Sequence, residues 1–149
     1  MSEVLVRMCT KDDVSDLVPL ISQLGYPTSF QELISRVLTY QSNQYGIAVA
    51  CLHDKIVGWI AWSVSLIFVT NAKRFHIEGL IVDEHYRGLG IGKQLMLFVE
   101  KIAVNSAPSV IDLVSGVRRA KDGTHAFYEN LGYHNQGPLA KLYFRKEIK

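Results

Sequence analysis

The most informative segment of this chain is Arg87-Gly88-Leu89-Gly90-Ile91-Gly92. It follows an extended apolar segment and precedes a segment whose apolar residues recur at helical spacing. Glycines lack the Cβ atom that would block a ligand, so backbone N–H groups here can converge on an anion at the positive end of the helix dipole. The stretch therefore predicts a phosphate-binding loop.

Two common nucleotide-binding motifs do not fit this loop. A nucleotide P-loop has the pattern G-x-x-x-x-G-K-[ST], but Arg87 stands at the first glycine position and Gln94 replaces the hydroxyl that binds magnesium. A dinucleotide fingerprint, G-x-G-x-x-G, would require glycine at Lys93 or Leu95. Both motifs are excluded by their spacing.

Two other motifs resemble the signatures of the GNAT superfamily of acetyl-CoA-dependent N-acetyltransferases. Arg87, Gly90 and Gly92 satisfy its loop pattern, R/Q-x-x-G-x-G/A. About 35 residues later, the run Ala126-Phe127-Tyr128-Glu129-Asn130-Leu131-Gly132-Tyr133 is similar to the family pattern A-x-x-F-Y-E-x-L-G-F/Y, although the alanine is adjacent to Phe127 rather than a few positions earlier. The resemblance implies one acetyltransferase domain over residues 1–149, with acetyl-CoA as co-substrate and no metal.

The order of the predicted elements is similar to that of the GNAT fold. We predict strands over residues 4–8, 46–52, 56–69, 75–82 and 110–117, and two short strands separated by Gly137-Pro138. Helices are predicted after Thr10 and Ser29, over residues 91–107, and after a cap at Asp122 or Thr124. The turn at residues 53–55 predicts a hairpin between strands 46–52 and 56–69, and Gly132 is the predicted left-handed end of the last helix. The resemblance implies an α/β (α+β) fold: a mixed, mostly antiparallel sheet of six to seven strands, about four helices and a central β-α-β unit that binds coenzyme A.

Composition restricts the possible partners and location. The net charge is only +2 and the basic residues are scattered, which argues against a nucleic-acid partner. The longest apolar run, residues 56–69, contains two serines and is shorter than the ~20 residues that span a bilayer, so no membrane segment is expected. The N-terminus has no secretory leader, which predicts a cytoplasmic protein. Cys9 and Cys51 lack the spacing of a disulfide framework or a zinc site.

Glu78 is the candidate base that takes a proton from the acceptor amine. It lies in an otherwise apolar strand, where strict alternation places it on one face with His76, Leu80 and Val82. Its distance from the glycine loop resembles that of the glutamate in GNAT enzymes that acetylate small amines. The alternative is a structural carboxylate with a basic or backbone partner. His76 either relays the proton of Glu78 or is structural.

Tyr128 is the candidate acid. The resemblance implies that its phenol lies near the sulfur of acetyl-CoA and protonates the departing thiolate, whereas the alternative is a structural hydrogen bond. The same resemblance implies that a backbone N–H of Leu80 or Ile81 stabilises the oxyanion and that Val82 binds the pantetheine arm. The pyrophosphate would be bound by Arg87, Gly88, Leu89, Gly90, Ile91, Gly92 and Lys93.

The expected function is direct transfer of an acetyl group to a primary amine, most simply that of a small molecule. Because the cysteines lie outside both motifs, no acyl-enzyme is expected. Tyr26, in the connection between the first two helices, is implied to face the acceptor, as is His76. A protein or peptide N-acetyltransferase and a non-catalytic acyl-CoA-binding module stay open as alternatives. Relatives often dimerise, so a homodimer is a possible assembly.

Overall fold

A computed structural model describes residues 3–115 and 123–149. It divides into two compact units, the first ending at Ile111 and the second beginning at Asp112. The helices are α1 (Val14–Gln23), α2 (Phe30–Ser42), α3 (Ile91–Val104) and α4 (Thr124–Asn130). The strands are β1 (Leu5–Met8), β2 (Gly46–Leu52), β3 (Lys55–Leu66), β4 (Lys73–Val82) and β5 (Ser109–Leu113).

The strands form one sheet in the order β1-β2-β3-β4-β5. The first four pair antiparallel with their neighbours in sequence. β2 and β3 are joined by a two-residue turn, His53 and Asp54, and both residues have positive φ (52° and 61°). A two-residue hairpin turn that matches the right-handed twist of the strands requires this backbone. The predicted hairpin is therefore confirmed.

The predicted strand count is wrong, because the described residues contain five strands rather than six to seven. The two strands expected around Gly137-Pro138 are replaced by a 3₁₀ turn over Gly137–Leu139 followed by a segment without strand pairing. A side chain provides the local reason. The amide of Asn135 accepts from the N–H of Lys141 (2.7 Å) and donates to its carbonyl (2.8 Å), which occupies the groups a strand partner would need.

One face of the sheet packs against α1 and α2. The apolar stripes of these helices bury Leu17 and Val37 against Trp59 and Ile81 of the sheet. Side chains alternate along a strand, so odd-numbered positions of β3 near Trp59 face these helices. The shared core fixes β3 and β4 under α1 and α2.

The opposite face packs against α3. Trp62 is buried beside Phe98, with ring centroids 6.4 Å apart, and a Cβ added at Gly58 would lie 3.3 Å from the Leu95 side chain. Trp59 and Trp62 therefore lie on opposite faces, as their spacing predicts. α3 begins beyond the end of β4, which places the glycine loop between them.

An ion pair holds the start of α1 against β1. Both terminal nitrogens of Arg7 donate to the Asp13 carboxylate at 2.8 Å, and the N–H of Thr10 donates to it at the same distance. The hydrogen bonds from Arg7 lower the pKa of Asp13 below its usual value. Asp13 is thereby buried without being left unpaired.

Candidate active site

A β-bulge in β4 places Glu78 outside the regular pairing. Gly79 lies opposite Ala61 of β3, and the next residue of β3, Trp62, lies opposite Ile77. Glu78 is thus the extra residue, with no partner position in β3. Such a bulge bends the strand and changes the direction of a side chain, so it separates Glu78 from the ladder around it.

The bulge also corrects the predicted face of β4. Leu80 pairs with Ile60 and Val82 pairs with Gly58, and these positions of β3 face α3. His76 pairs with Ser63, a position that faces α1 and α2. Strict alternation, which placed all four side chains together, is therefore wrong for Leu80 and Val82. His76 and Glu78 do meet: Nε2 of His76 lies 3.5 Å from Oε1 of Glu78. The Glu78 side chain is 36% exposed, so solvent and a substrate can reach it.

Trp59 forms the wall beside the bulge. A Cβ added at Gly79 would lie 2.6 Å from the Trp59 ring, so this close approach requires glycine. The indole is 8% exposed, and its N–H has no hydrogen-bond partner among the described residues. The wall next to Glu78 therefore contains a buried donor without an acceptor.

Two tyrosines that the sequence did not indicate lie where α2 leads into β2. Tyr45 directly precedes Gly46, which pairs with Trp62, and the next residue of β3, Ser63, pairs with His76 of β4. The ring of Tyr40, in α2, packs edge-on against Tyr45 with centroids 5.4 Å apart. Both tyrosines fall near the end of a helix with an apolar stripe, so the pattern favours packing roles and gives no sign of a site.

Burial and the nearby Glu78 carboxylate raise the pKa of Tyr40, and Tyr45 adds to the effect while Arg36 opposes it. The phenol is consequently neutral throughout the usual assay range. Tyr40, Tyr45, His76 and Glu78 form what we call the acidic aromatic cluster. Its members come from α2, the start of β2 and the β4 bulge.

The glycine loop has the backbone that its sequence predicts. Gly88 and Gly90 have φ of +81° and +80°, a region that strongly favours glycine. A Cβ at either position would meet no atom within 4 Å, so the requirement is conformational and the space above the loop is open. Arg87 extends from the loop and its Nε donates to the Val82 carbonyl at 3.2 Å. Its remaining N–H groups can still face an anion.

The loop ends at the N-terminus of α3 without a side-chain cap. Gly90 is the capping residue and provides no side-chain acceptor, and the first turn holds no acidic residue. The N–H of Gln94 makes the first intrahelical bond, to the Gly90 carbonyl at 3.1 Å. The amides of residues 91–93 therefore precede the helical bonds and point out of a 14-residue helix at its positive end.

Asp83 connects β4 to the loop. Its N–H donates to the Val57 carbonyl (2.7 Å), and its carboxylate accepts from the N–H of His85 (3.0 Å). Asp83 is buried, so these bonds satisfy polar groups that are out of reach of bulk water. They fix the point at which the chain leaves the sheet and enters the loop.

Tyr128 lies in α4, in the second unit. Its ring is half-buried and packs edge-on against Phe127 and Tyr133, with centroids 5.0 and 6.3 Å apart. Its carbonyl accepts from the N–H of Tyr133 at 3.1 Å, and Gly132 has the positive φ (94°) predicted for the end of the helix. The helix begins at Thr124, but its N-cap is Gly123, so the predicted cap at Thr124 is wrong, and the alternative cap, Asp122, lies outside the described residues.

Three other predicted site residues are Tyr26, Lys93 and Ile81. Tyr26 lies in the connection between α1 and α2 with its ring 63% exposed. Lys93 is exposed in the first turn of α3. Ile81 is buried under α1 and α2. The structure thus brings Glu78 and His76 together and leaves Tyr26 at the surface of the helix connection.

The cysteines and the metal-binding residue types suggest no further chemistry. Burial raises the pKa of the Cys9 thiol to about 12, which disfavours the reactive thiolate. Cys51 is half-buried and, like Cys9, unbridged. Over residues 3–115 and 123–149, no group of three or more His, Cys, Asp or Glu side chains is arranged to hold a metal ion. In the same part of the chain, no helix combines the length and apolar composition needed to cross a bilayer.

A cavity of about 460 Å³ lies in the first unit, near the C-terminal end of α3. Its walls include Trp62, Phe75 and Ile102, which belong to the α3 side of the sheet. It contains none of the predicted catalytic or coenzyme-binding residues, although Tyr45 is among its lining residues. The candidate site is therefore the bulge and loop rather than this cavity.

The profile of the acetyltransferase (GNAT) family matches residues 14–133, a span that includes the bulge, the glycine loop and α4. The chain belongs to the GNAT acetyltransferase family. This is a family of acetyl-CoA-dependent transferases. A search of curated proteins gave no significant match.

Solved structures show the same fold. A Trypanosoma brucei acetyltransferase is 24% identical (TM-score 0.78), with 98% of this chain and 100% of that chain covered. Glucosamine-6-phosphate N-acetyltransferase from Arabidopsis thaliana is 22% identical (TM-score 0.75; 96% and 99% covered). An aminoglycoside N-acetyltransferase in complex with CoA is 16% identical (TM-score 0.82; 99% and 97% covered).

Proposed function

We propose that this GNAT protein is an N-acetyltransferase that moves the acetyl group of acetyl-CoA directly to a primary amine of a small molecule. The observation that carries the proposal is the pairing, in one compact unit, of an uncapped, glycine-led helix N-terminus with a carboxylate on a β-bulge of the preceding strand. A binding module would need only the helix N-terminus. A carboxylate set out of the ladder and open to solvent favours chemistry.

Coenzyme A fits the loop through its diphosphate. The amides of Ile91, Gly92 and Lys93 would donate to its oxygens, and the left-handed glycines keep side chains away. Arg87 and Lys93 would add positive charge. Leu80, Ile81 and Val82 would offer backbone groups to the acetyl carbonyl and the pantetheine amides, in the manner of an added strand.

The chain's own residues would handle two protons. A primary alkyl amine is mostly protonated at neutral pH, so Glu78 would take one proton, directly or through water, and free the nitrogen lone pair. The nitrogen forms a bond to the acetyl carbon as the carbon–sulfur bond breaks. Tyr128 would give its phenolic proton to the departing sulfur. The nitrogen would lose its second proton as the amide forms, and that proton would restore the phenol through solvent, while Glu78 would release its proton to solvent. The products are an N-acetylated amine, free coenzyme A and one proton.

The structurally similar proteins support a small-molecule acceptor, since they include a glucosamine-6-phosphate N-acetyltransferase and an aminoglycoside N-acetyltransferase. The span of the family profile, from α1 to just beyond α4, supports a single acetyltransferase domain over residues 1–149. A homodimer and a cytoplasmic location stay predictions.

The proposal is tested by thiol release. The purified protein is mixed with acetyl-CoA and a panel of primary alkylamines, amino sugars and peptides, and free thiol is followed with time. We expect amine-dependent release, with an N-acetylated product of the matching mass. Tight coenzyme A binding without turnover of any amine would instead favour an acyl-CoA-binding module. Turnover of peptides alone would favour a protein acetyltransferase.

A further inference from the structure

We infer that Tyr40 and Tyr45 determine acceptor specificity by forming, with Glu78, a subsite for an aliphatic ammonium group. This inference rests on the proposed function and narrows its substrate class. It assigns a role to two residues that neither sequence motif includes.

Register brings the cluster together. Gly46 pairs with Trp62 and Ser63 pairs with His76, so continuing the β2–β3 register by one residue places Tyr45 opposite Ser63 and two strands from His76, about 10 Å between backbones. The rings of Tyr45 and Tyr40 pack edge to face, with their centroids 5.4 Å apart. The N–H of Tyr45 also donates to the Tyr40 carbonyl at 3.0 Å, which fixes the two residues relative to each other.

The charge of the cluster suits a cation. Glu78 is its only acidic side chain, and its contact with His76 leaves the carboxylate more than a third exposed. Burial and, to a smaller extent, the Glu78 carboxylate raise the pKa of Tyr40, so its neutral ring adds no competing charge. Arg36, one turn before Tyr40, is the cation within electrostatic reach, and its guanidinium is bonded to Thr28 and the Glu32 carbonyl.

Neutral aromatic rings beside a carboxylate form a recognised site for ammonium groups, because the ring faces attract a cation and the carboxylate neutralises it. The reacting amine reaches the enzyme mostly as an ammonium ion. Bound in this cluster, it would lie next to the base that deprotonates it. Arylamines, which are neutral at pH 7, would lack the cation–π and ion-pair attraction that an ammonium group gains here. The chemistry therefore selects aliphatic amines.

The test uses tetramethylammonium, a cation that cannot be acetylated or donate a hydrogen bond. We expect it to inhibit competitively against the best alkylamine of the panel and not against acetyl-CoA. Tyr40→Leu removes the ring and should raise the acceptor KM about five- to tenfold, with the KM for acetyl-CoA unchanged and a similar loss of tetramethylammonium inhibition. Tyr40→Phe keeps the ring and should stay within about twofold of wild type.

Tyr143→Phe, at an exposed tyrosine of the second unit, is the matched control and should not change any constant. If Tyr40→Leu fails to fold, Tyr45→Leu carries the same expectation. An unchanged acceptor KM in an active, folded leucine variant overturns the inference while leaving the proposed function intact. A wild-type protein that binds coenzyme A but acetylates no amine overturns the proposed function itself.

Discussion

Helices α2 and α3 begin in opposite ways. At α2, the Ser29 hydroxyl accepts from the N–H of Glu32 (3.1 Å), and the Glu32 carboxylate accepts from the hydroxyl and N–H of Ser29 (2.9 and 3.4 Å). The chain thus satisfies the first turn of this helix itself and places a negative charge there. At α3, Gly90 provides no side-chain acceptor and no acid lies in the first turn.

The difference distinguishes a helix start that is closed by the chain's own side chains from one that is left open to an external acceptor. Free N–H groups at a helix start need acceptors, and a side chain, water or a ligand can supply them. The α2 start is closed by its own residues, so it has nothing to offer an anion. The α3 start is open, exposed and preceded by left-handed glycines, so an external anion can fill the same role. Stability should depend on the first, and coenzyme binding on the second.

The largest effect is expected at Glu78, which lies at neither helix start. Glu78→Gln removes the proposed base but leaves the loop intact, so kcat for the amine should fall about 100-fold or more. The dissociation constant of coenzyme A should not change. Steady-state kinetics and calorimetry measure the two quantities. A variant with wild-type kcat would remove Glu78 from the chemistry and leave the coenzyme loop unaffected.

The next effect converts the open helix start into a closed one. Asp tolerates the left-handed backbone of position 90, and Gly90→Asp would place an acceptor and a negative charge where the diphosphate is expected to bind. Coenzyme A should bind about 30-fold more weakly by calorimetry, which is about 2 kcal/mol. Gly90→Asn, similar in shape but uncharged, is the control and should lose less. Equal losses for the two variants would show that charge is not the cause.

A third helix start, at Thr10, extends the comparison to acid stability. Asp13 has a lowered pKa in the folded chain, so its stabilisation is present above the unfolded value of 3.8 and is lost as pH falls through the folded pKa. Asp13→Asn should destabilise the protein at pH 7 by about 1–2 kcal/mol, since Arg7 is partly exposed, and by much less at pH 2. Urea unfolding at both pH values measures this difference. A constant difference would contradict it.

The smallest effect should come from the closed start itself. Ser29→Ala deletes the capping hydroxyl and should cost about 1 kcal/mol of unfolding free energy. Because nothing binds there, the affinity for coenzyme A should be unaltered. Ser29→Thr keeps the hydroxyl and should retain most of the stability. Weaker coenzyme binding in the alanine variant would break the proposed division between the two helices.

The caps, turns and loops of the fold were predictable from short segments of the sequence. The Ser29 capping box, the tight β2–β3 turn and the glycine loop depend on a few adjacent residues, and each was found where the sequence places it. Gly132 also has its predicted left-handed conformation. In each case a residue type answers a backbone requirement that exists without distant contacts.

Long-range pairing could not be predicted in the same way. The bulge at Glu78 exists only in the register of β4 against β3, and one extra residue reverses the faces that alternation assigns. Tyr40, in α2, comes within electrostatic reach of Glu78 only through the packing of the folded chain. The expected terminal strands were lost to bonds between Asn135 and Lys141, which compete locally with strand pairing. Nothing in the periodicity of those segments reveals such competition.

The central claim is that the open start of α3 binds the diphosphate of coenzyme A. Calorimetric titration with coenzyme A and, separately, with pantetheine tests it directly, because pantetheine keeps the thiol arm and lacks the diphosphate. We predict measurable binding of coenzyme A and an affinity for pantetheine at least 100-fold lower, about 2.7 kcal/mol. Equal affinities, or no heat with coenzyme A on folded protein, would contradict the account.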